Sequence, residues 1–204
     1  MATIDLDHIL TTLGARAWEV PDQSRARVAG GLALSVYAGH TRDQGTPYLL
    51  HPLAVVDVLR SELGVTLPET LVLGLLHDAL EVSPGTEALL VHRLGGTITT
   101  RLRAMTADHR LQGRPKASGD EARWRAKQAA LPSEELLVRF ADRIHNLRDL
   151  SASPNSDRQW KYLRGLTDFY LPLAEAARPI NPQLAAAHAL LHAEYIRHQQ
   201  EVRP

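Results

Sequence analysis

The 204-residue chain predicts an all-α fold, a helical bundle in a single domain of about nine to ten helices joined by long connections. Apolar residues recur at helical spacing along most of the sequence, and no segment alternates apolar and polar residues as a half-buried strand does. Pro47, Pro68, Pro84 and the Gly95-Gly96 pair punctuate these runs at helical lengths. The length suits one domain with a sizeable core.

Taken in order, residues 4–18 form a first amphipathic helix. Ser24 can cap a second, through RARVAGGLALSVYAG. The turn RDQGTPY follows, and Pro52 fits the first turn of a third helix, PLAVVDVLRSEL, stopped by Gly64. Pro68 opens a fourth, which carries HDALE and closes at Pro84-Gly85. Two short helices, 86–94 and 97–106, are split by the glycine pair. Residues 107–119, ADHRLQGRPKASG, read as a mobile loop that could act as a lid. A basic helix, DEARWRAKQAAL, and a long helix over 134–150 come next, and two C-terminal helices cover about 157–177 and 182–200. There is no internal repeat.

Composition narrows the functions. With 23 basic and 23 acidic residues the chain has no global field to attract nucleic acid or an anionic membrane. The absence of cysteine excludes disulfides, thiolate metal sites and a cysteine nucleophile. The N-terminus, MATIDLDHILTTLG, lacks the basic n-region of a signal peptide, and LVLGLL is cut by His77 and Asp78 well short of a membrane span. The expectation is a cytoplasmic protein.

Three apolar segments contain polar groups that are costly to bury without a partner. His51 stands in YLLHPLAVV, His77 and Asp78 in LLHDAL, and Asp142 in ELLVRFADRIHNL. Each alone is more often a hydrogen-bonded core residue than a ligand. Together, two imidazoles and two carboxylates on three helices make a first shell for one divalent ion of the manganese-to-zinc series. On a continuous helix His77 and Asp78 point about 100° apart, so they converge only on an ion beside the helix. Four protein ligands would close a tetrahedral zinc, whereas a six-coordinate ion keeps two open positions.

Four stretches, GHTRDQGTPYLLHP, GLLHDALE, LLVRFADRIHNLRDL and DFYLPLA, resemble in order and spacing the HD-domain hydrolases of the RelA/SpoT group. By length the chain is similar to the stand-alone small alarmone hydrolases typified by the metazoan SpoT homologue. The resemblance covers about residues 25–175, the motif-bearing core of a domain spanning 1–204, with the helices of 157–200 packed on it. It implies an all-helical HD fold, a divalent metal (usually manganese), and removal of the 3′-diphosphate from guanosine tetra- and pentaphosphate. The products would be pyrophosphate and GDP or GTP. No synthetase half is expected after the last helix. On the residues that match, it implies His51, His77, Asp78 and Asp142 as metal ligands, Arg42 against the purine base, Asn146 at the ribose or 3′ side, and Glu81 as the carboxylate that handles a proton.

The chain departs from the family's HDxxED pattern at Val82, which stands where an Asp that helps activate water is usual. His40 and Asp43 replace a Gln and a basic residue near the base. Hydrolysis of adenosine alarmones, another HD nucleotide phosphohydrolase, and a non-catalytic nucleotide-binding module therefore stay open as alternatives.

An anionic nucleotide needs further cations. Arg123 and Lys127, four apart on the basic helix, share a face, and Arg164 and Tyr170 lie further on; the plain alternative is a solvated face. Arg139 and Arg143 are a surface stripe or partners of Glu135 and Asp142. His145 is expected beside the site without ligating, and Trp18, Trp124 and Trp160 in core or lid packing. His188 and His192 have zinc spacing but only Glu194, on another face, as a third ligand. The expected partner is a small-molecule nucleotide, with no nucleic acid and no membrane; a homodimer is compatible with this reading.

Overall fold

The computed structural model describes residues 4–201. Thirteen α-helical segments occur among them: α1 (Leu6–Leu13), α2 (Val20–Val36), α3 (Leu50–Asp57), α4 (Pro68–Leu76), α5 (Ala79–Val82), α6 (Glu87–Leu94), α7 (Gly96–Ala104), α8 (Asp108–Leu111), α9 (Asp120–Ala129), α10 (Ser133–Arg148), α11 (Ser156–Gly165), α12 (Leu171–Ala177) and α13 (Pro182–Glu201). The pairs α4/α5 and α11/α12 are each one helix with an interruption. The described residues contain no strand, only an isolated antiparallel bridge between Thr41 and Pro47. The all-α expectation is met.

Boundaries differ from the sequence reading in instructive ways. The second helix starts at Val20 rather than after Ser24, because Pro21 sits where its missing N–H costs nothing. Ser24 is inside the helix, and its hydroxyl donates to the Val20 carbonyl. The third helix ends in a wider π-type turn, Val58–Glu62, before Gly64 turns the chain at φ 65°. The fourth helix is not continuous through HDALE: it stops at Leu76 and restarts at Ala79.

α10 is the axis of the molecule and packs on α13, α3 and α4. Between Glu135 and Ala141 every residue is buried, so its polar side chains there are interior groups. Phe140, Leu73, Leu75, Leu76 and Leu80 form the centre of the core, each burial worth roughly 1.5–3 kcal/mol. Glycine allows the helices to close. A Cβ on Gly74 would come within 2.6 Å of Leu59, and one on Gly30 within 2.6 Å of Leu6. α3 and α4 thus meet at short range, α10 packs on both, and their interior polar residues meet with them.

Candidate metal centre and its cleft

α3 brings His51, the end of α4 brings His77, and the break before α5 brings Asp78. Their ligand atoms all lie within 4.8 Å of one another. At the break Asp78 leaves helical geometry, with φ −98° and ψ 0°. That turn carries its Oδ2 to 3.3 Å from His77 Nε2 and 3.5 Å from His51 Nε2. The 100° divergence expected on a continuous helix is removed by the interruption. Asp142 approaches from α10, its Oδ1 at 3.3 Å from His51 Nε2 and 3.7 Å from His77 Nε2.

Both histidines are 1% exposed, and both Nε2 atoms are buried without a hydrogen-bond partner. The nearest carboxylate oxygens stand 3.3–3.7 Å away. Two orphaned imidazole nitrogens facing two carboxylates are costly as a polar core and fitting as a cation site. The other ring nitrogens are already fixed. His77 Nδ1 lies 2.8 Å from the Gly74 carbonyl, which accepts its proton, and His51 Nδ1 lies 2.9 Å from His145 Nδ1. A proton on each Nδ1 leaves the Nε2 lone pairs to the centre. Mixed nitrogen and oxygen donors suit first-row divalent ions.

A second set of contacts orients the acids. Tyr48, stacked on Tyr37 with ring centroids 5.5 Å apart, donates to Asp78 Oδ2 at 2.9 Å. Asp142 Oδ2 accepts from Arg139 at 2.9 Å and from Arg143 at 2.5 Å. Its Oδ1 accepts from the Asn146 amide. Arg143 lies between the rings of Tyr170 and Tyr162, at 4.9 and 5.5 Å from their centroids. Arg139 also donates to the Met105 carbonyl and lies over Trp124.

These contacts set the protonation states. Burial alone would raise the Asp142 carboxyl, but Arg143, the two imidazoles and Arg139 hold it well below the usual carboxylate range. Burial opposes charge on His77, yet Asp78 and Asp142 together push it up to about 10 without an ion. Burial and His51 lower His145 to about 4, so it stays neutral. Glu81 is raised by desolvation and by the Asp78 charge.

The centre opens into a cleft of about 370 Å³ lined by Asp78, Glu81, Arg42, Asn146, Arg143, Tyr162, Tyr170 and others. Arg42 is presented by a closed loop in which Arg42 N–H donates to the Thr46 carbonyl at 2.8 Å and Tyr48 N–H to the His40 carbonyl at 2.9 Å. Its guanidinium donates to Asn146 Oδ1 at 2.7 Å, and its Nε is buried and unpartnered. Arg42, Asn146 and Asp142 therefore form one hydrogen-bonded chain from the loop to the centre.

The expected substrate contacts divide. Arg42 and Tyr170 line the cleft, but Arg123, Lys127 and Arg164 do not. Arg123 is taken by Asp120 at 2.6 Å, Lys127 by Asp108 and the Thr106 carbonyl, and Arg164 by its neighbour Asp168. The cations that do line it, Arg110, Lys116, Arg139, Arg143 and Arg158, had no such role in the sequence reading. For Arg139 and Arg143 the signal was present: both lie within a turn of Asp142 in an apolar run. Residues 107–119 are also not a featureless loop. They contain α8, and Arg114 clamps Asp120 through two bonds of 2.7 and 2.8 Å. His188 pairs with Glu175 at 2.9 Å, while Glu194 turns to Arg148.

Residues 29–178 match the family model described as HD domain. The chain belongs to the HD-domain family. This HD domain is 31% identical over 152 residues to the bifunctional (p)ppGpp synthase/hydrolase SpoT of Escherichia coli K12, which covers 74% of this chain and 21% of that protein. It is 32% identical over 138 residues to a GTP pyrophosphokinase of Streptomyces coelicolor, covering 68% and 16%. The chain thus spans about a fifth of the length of the curated relatives it matches. Among solved structures, a metazoan SpoT ortholog described as hydrolysing ppGpp superposes with a TM-score of 0.65 over 90% of this chain and 98% of that one, at 19% identity. That likeness concerns the fold. No described helix is long and apolar enough to cross a membrane.

Proposed function

We propose that this HD domain is a metal-dependent phosphohydrolase that removes the 3′-diphosphate of guanosine alarmones, releasing pyrophosphate and GDP or GTP. The observation that carries the reading is the pair of buried, unpartnered Nε2 atoms facing Asp78 and Asp142 at the floor of a cation-lined cleft. His51, His77, Asp78 and Asp142 would hold the ion, manganese in our reading. When bound, such an ion supplies Lewis acidity toward a phosphoryl oxygen and acidifies water at neutral pH.

The chain's own residues would do the rest. Tyr48 fixes the Asp78 carboxylate, and His145 and the Gly74 carbonyl fix the two imidazoles. Arg143, on the cleft wall, would offset the charge of the phosphates. Asn146, tied to both Arg42 and Asp142, would set the ribose relative to the centre while Arg42 meets the base. Glu81 lines the same cleft, and its raised pKa suits a group that takes a proton and returns it to the leaving 3′ oxygen. We read residues 1–204 as one unit acting in the cytoplasm on a small nucleotide.

One observation favours a second reading. Val82 packs against the core, and the four residues of α5, ALEV, carry no carboxylate but Glu81, so the domain would bind an alarmone without cleaving it. A panel scoring release of pyrophosphate or phosphate, with and without Mn²⁺, decides between them. It should include guanosine and adenosine alarmones, plain nucleotides and cyclic nucleotides. Metal-dependent release from the guanosine alarmones supports hydrolysis. Binding of the same nucleotides with no release, by folded and metal-loaded protein, leaves the binding module.

A further inference from the structure

Glu81 stands at the cleft with its side chain 43% exposed, and the other side of the cleft faces it with a cation. Arg110 Nε lies 3.6 Å from Glu81 Oε1. Arg110 belongs to α8, which packs on α5, the helix that carries Glu81. Two clamps hold this wall. Lys127 ties its start through the Thr106 carbonyl and Asp108. Asp120, only 5% exposed, ties its end by accepting from Arg114, Arg123 and the Ala117 N–H. Leu111 packs into the core between them. Arg110 is therefore held opposite Glu81 rather than carried on a free loop.

From this geometry we infer that Arg110 is a positioning residue for Glu81, holding one carboxylate oxygen so that the other faces the reacting phosphate. The inference rests on the hydrolase reading above and deepens it. A carboxylate on a short, exposed helix end can rotate among several rotamers, and proton transfer requires it within hydrogen-bond reach of the proton it moves. Here the adjacent position is Val82, turned to the core, and the restraint comes from across the cleft. An exposed ion pair at this spacing adds little to stability, so its removal should be visible in kinetics and not in folding.

The test compares wild type, Arg110→Ala, Arg110→Lys, Glu81→Gln and the double variant Glu81→Gln/Arg110→Ala with manganese and guanosine tetraphosphate. We expect Arg110→Ala to lower kcat about tenfold or more with KM within a factor of about two. Arg110→Lys should recover part of the loss, and the double variant should be no worse than Glu81→Gln. Thermal unfolding should be unchanged in all of them. A rise in KM with kcat intact would overturn the inference, because Arg110 would then be an ordinary phosphate contact. Equal kcat in wild type and Arg110→Ala, or additive losses in the double variant, would overturn it as well. Failure of the underlying reading looks different: wild type itself would release no pyrophosphate.

Discussion

The candidate metal cradle and the wall formed by residues 107–120 face one another across the same cleft, yet they are built on opposite terms. In the cradle, polar groups are buried in apolar helices, 1–2% exposed for His51, His77 and Asp142, and among these only the two Nε2 atoms facing the centre lack a hydrogen-bond partner. In the wall, ion pairs such as Lys116–Glu121 and Arg110–Glu81 are roughly half exposed. Burial makes the cradle rigid and specific at high cost per group. Exposure makes the wall cheap and adaptable. The proposed hydrolase, which would hold an ion and release a product, would draw on both.

The largest effect expected is in the cradle. His77→Ala or Asp142→Ala should abolish metal-dependent pyrophosphate release, beyond the ~10–100-fold losses typical of outer partners, and should erase the thermal shift produced by Mn²⁺. An undiminished shift in either variant would remove that residue from the ligand set. Next comes Arg139→Met. Arg139 is 4% exposed and bonded to the equally buried Asp142, so breaking the pair should cost about 3 kcal/mol in urea unfolding. A loss under about 1 kcal/mol would mean that Arg143 alone satisfies Asp142. His145→Phe, which leaves His51 Nδ1 without its partner, should lower manganese affinity about 10–100-fold by calorimetry while leaving the other ligands in place.

Proton linkage sharpens the contrast further. Without an ion, His77 is raised to about 10. Its protonated form then stabilises the fold fully below about pH 6.5 and loses that effect as pH rises through about 10. Cation binding must displace this proton. The increase in Tm on adding Mn²⁺ should therefore grow between about pH 6.5 and about pH 8.5, and calorimetry in buffers of different ionisation enthalpy should register proton release. A pH-independent increase would place the proton elsewhere. The smallest effect belongs to the wall: Lys127→Ala should cost about 0.5–1.5 kcal/mol and leave metal affinity unchanged.

The same contrast explains what could be read from the sequence. His51, His77, Asp78 and Asp142 were legible because a polar residue in an apolar run is anomalous wherever the run folds, and three such anomalies on separate helices suggest one meeting place. The helix periods and the Gly and Pro boundaries likewise reflect local chemistry. The break between Leu76 and Ala79 was not legible, since nothing in GLLHDALE weakens the helical pattern; tertiary contacts at Asp78 decide it. Nor were the partners of Lys127, Arg123 and Arg164. Charged residues on exposed faces have many potential partners, and only the fold shows that Asp108, Asp120 and Asp168 are the near ones. Lys116 and Arg110, in a segment that reads as irregular, reach the cleft only because Lys127 and Asp120 anchor both ends.

Gly74 serves two purposes at one position. Its missing side chain admits Leu59 from the π-type turn that ends α3, and its carbonyl receives the His77 ring proton. Interior tightness and ligand aim are thus mechanically linked: a methyl group added there would pry α3 from α4 and swing an imidazole in one motion, so no repair of the core at that point leaves the chemistry untouched.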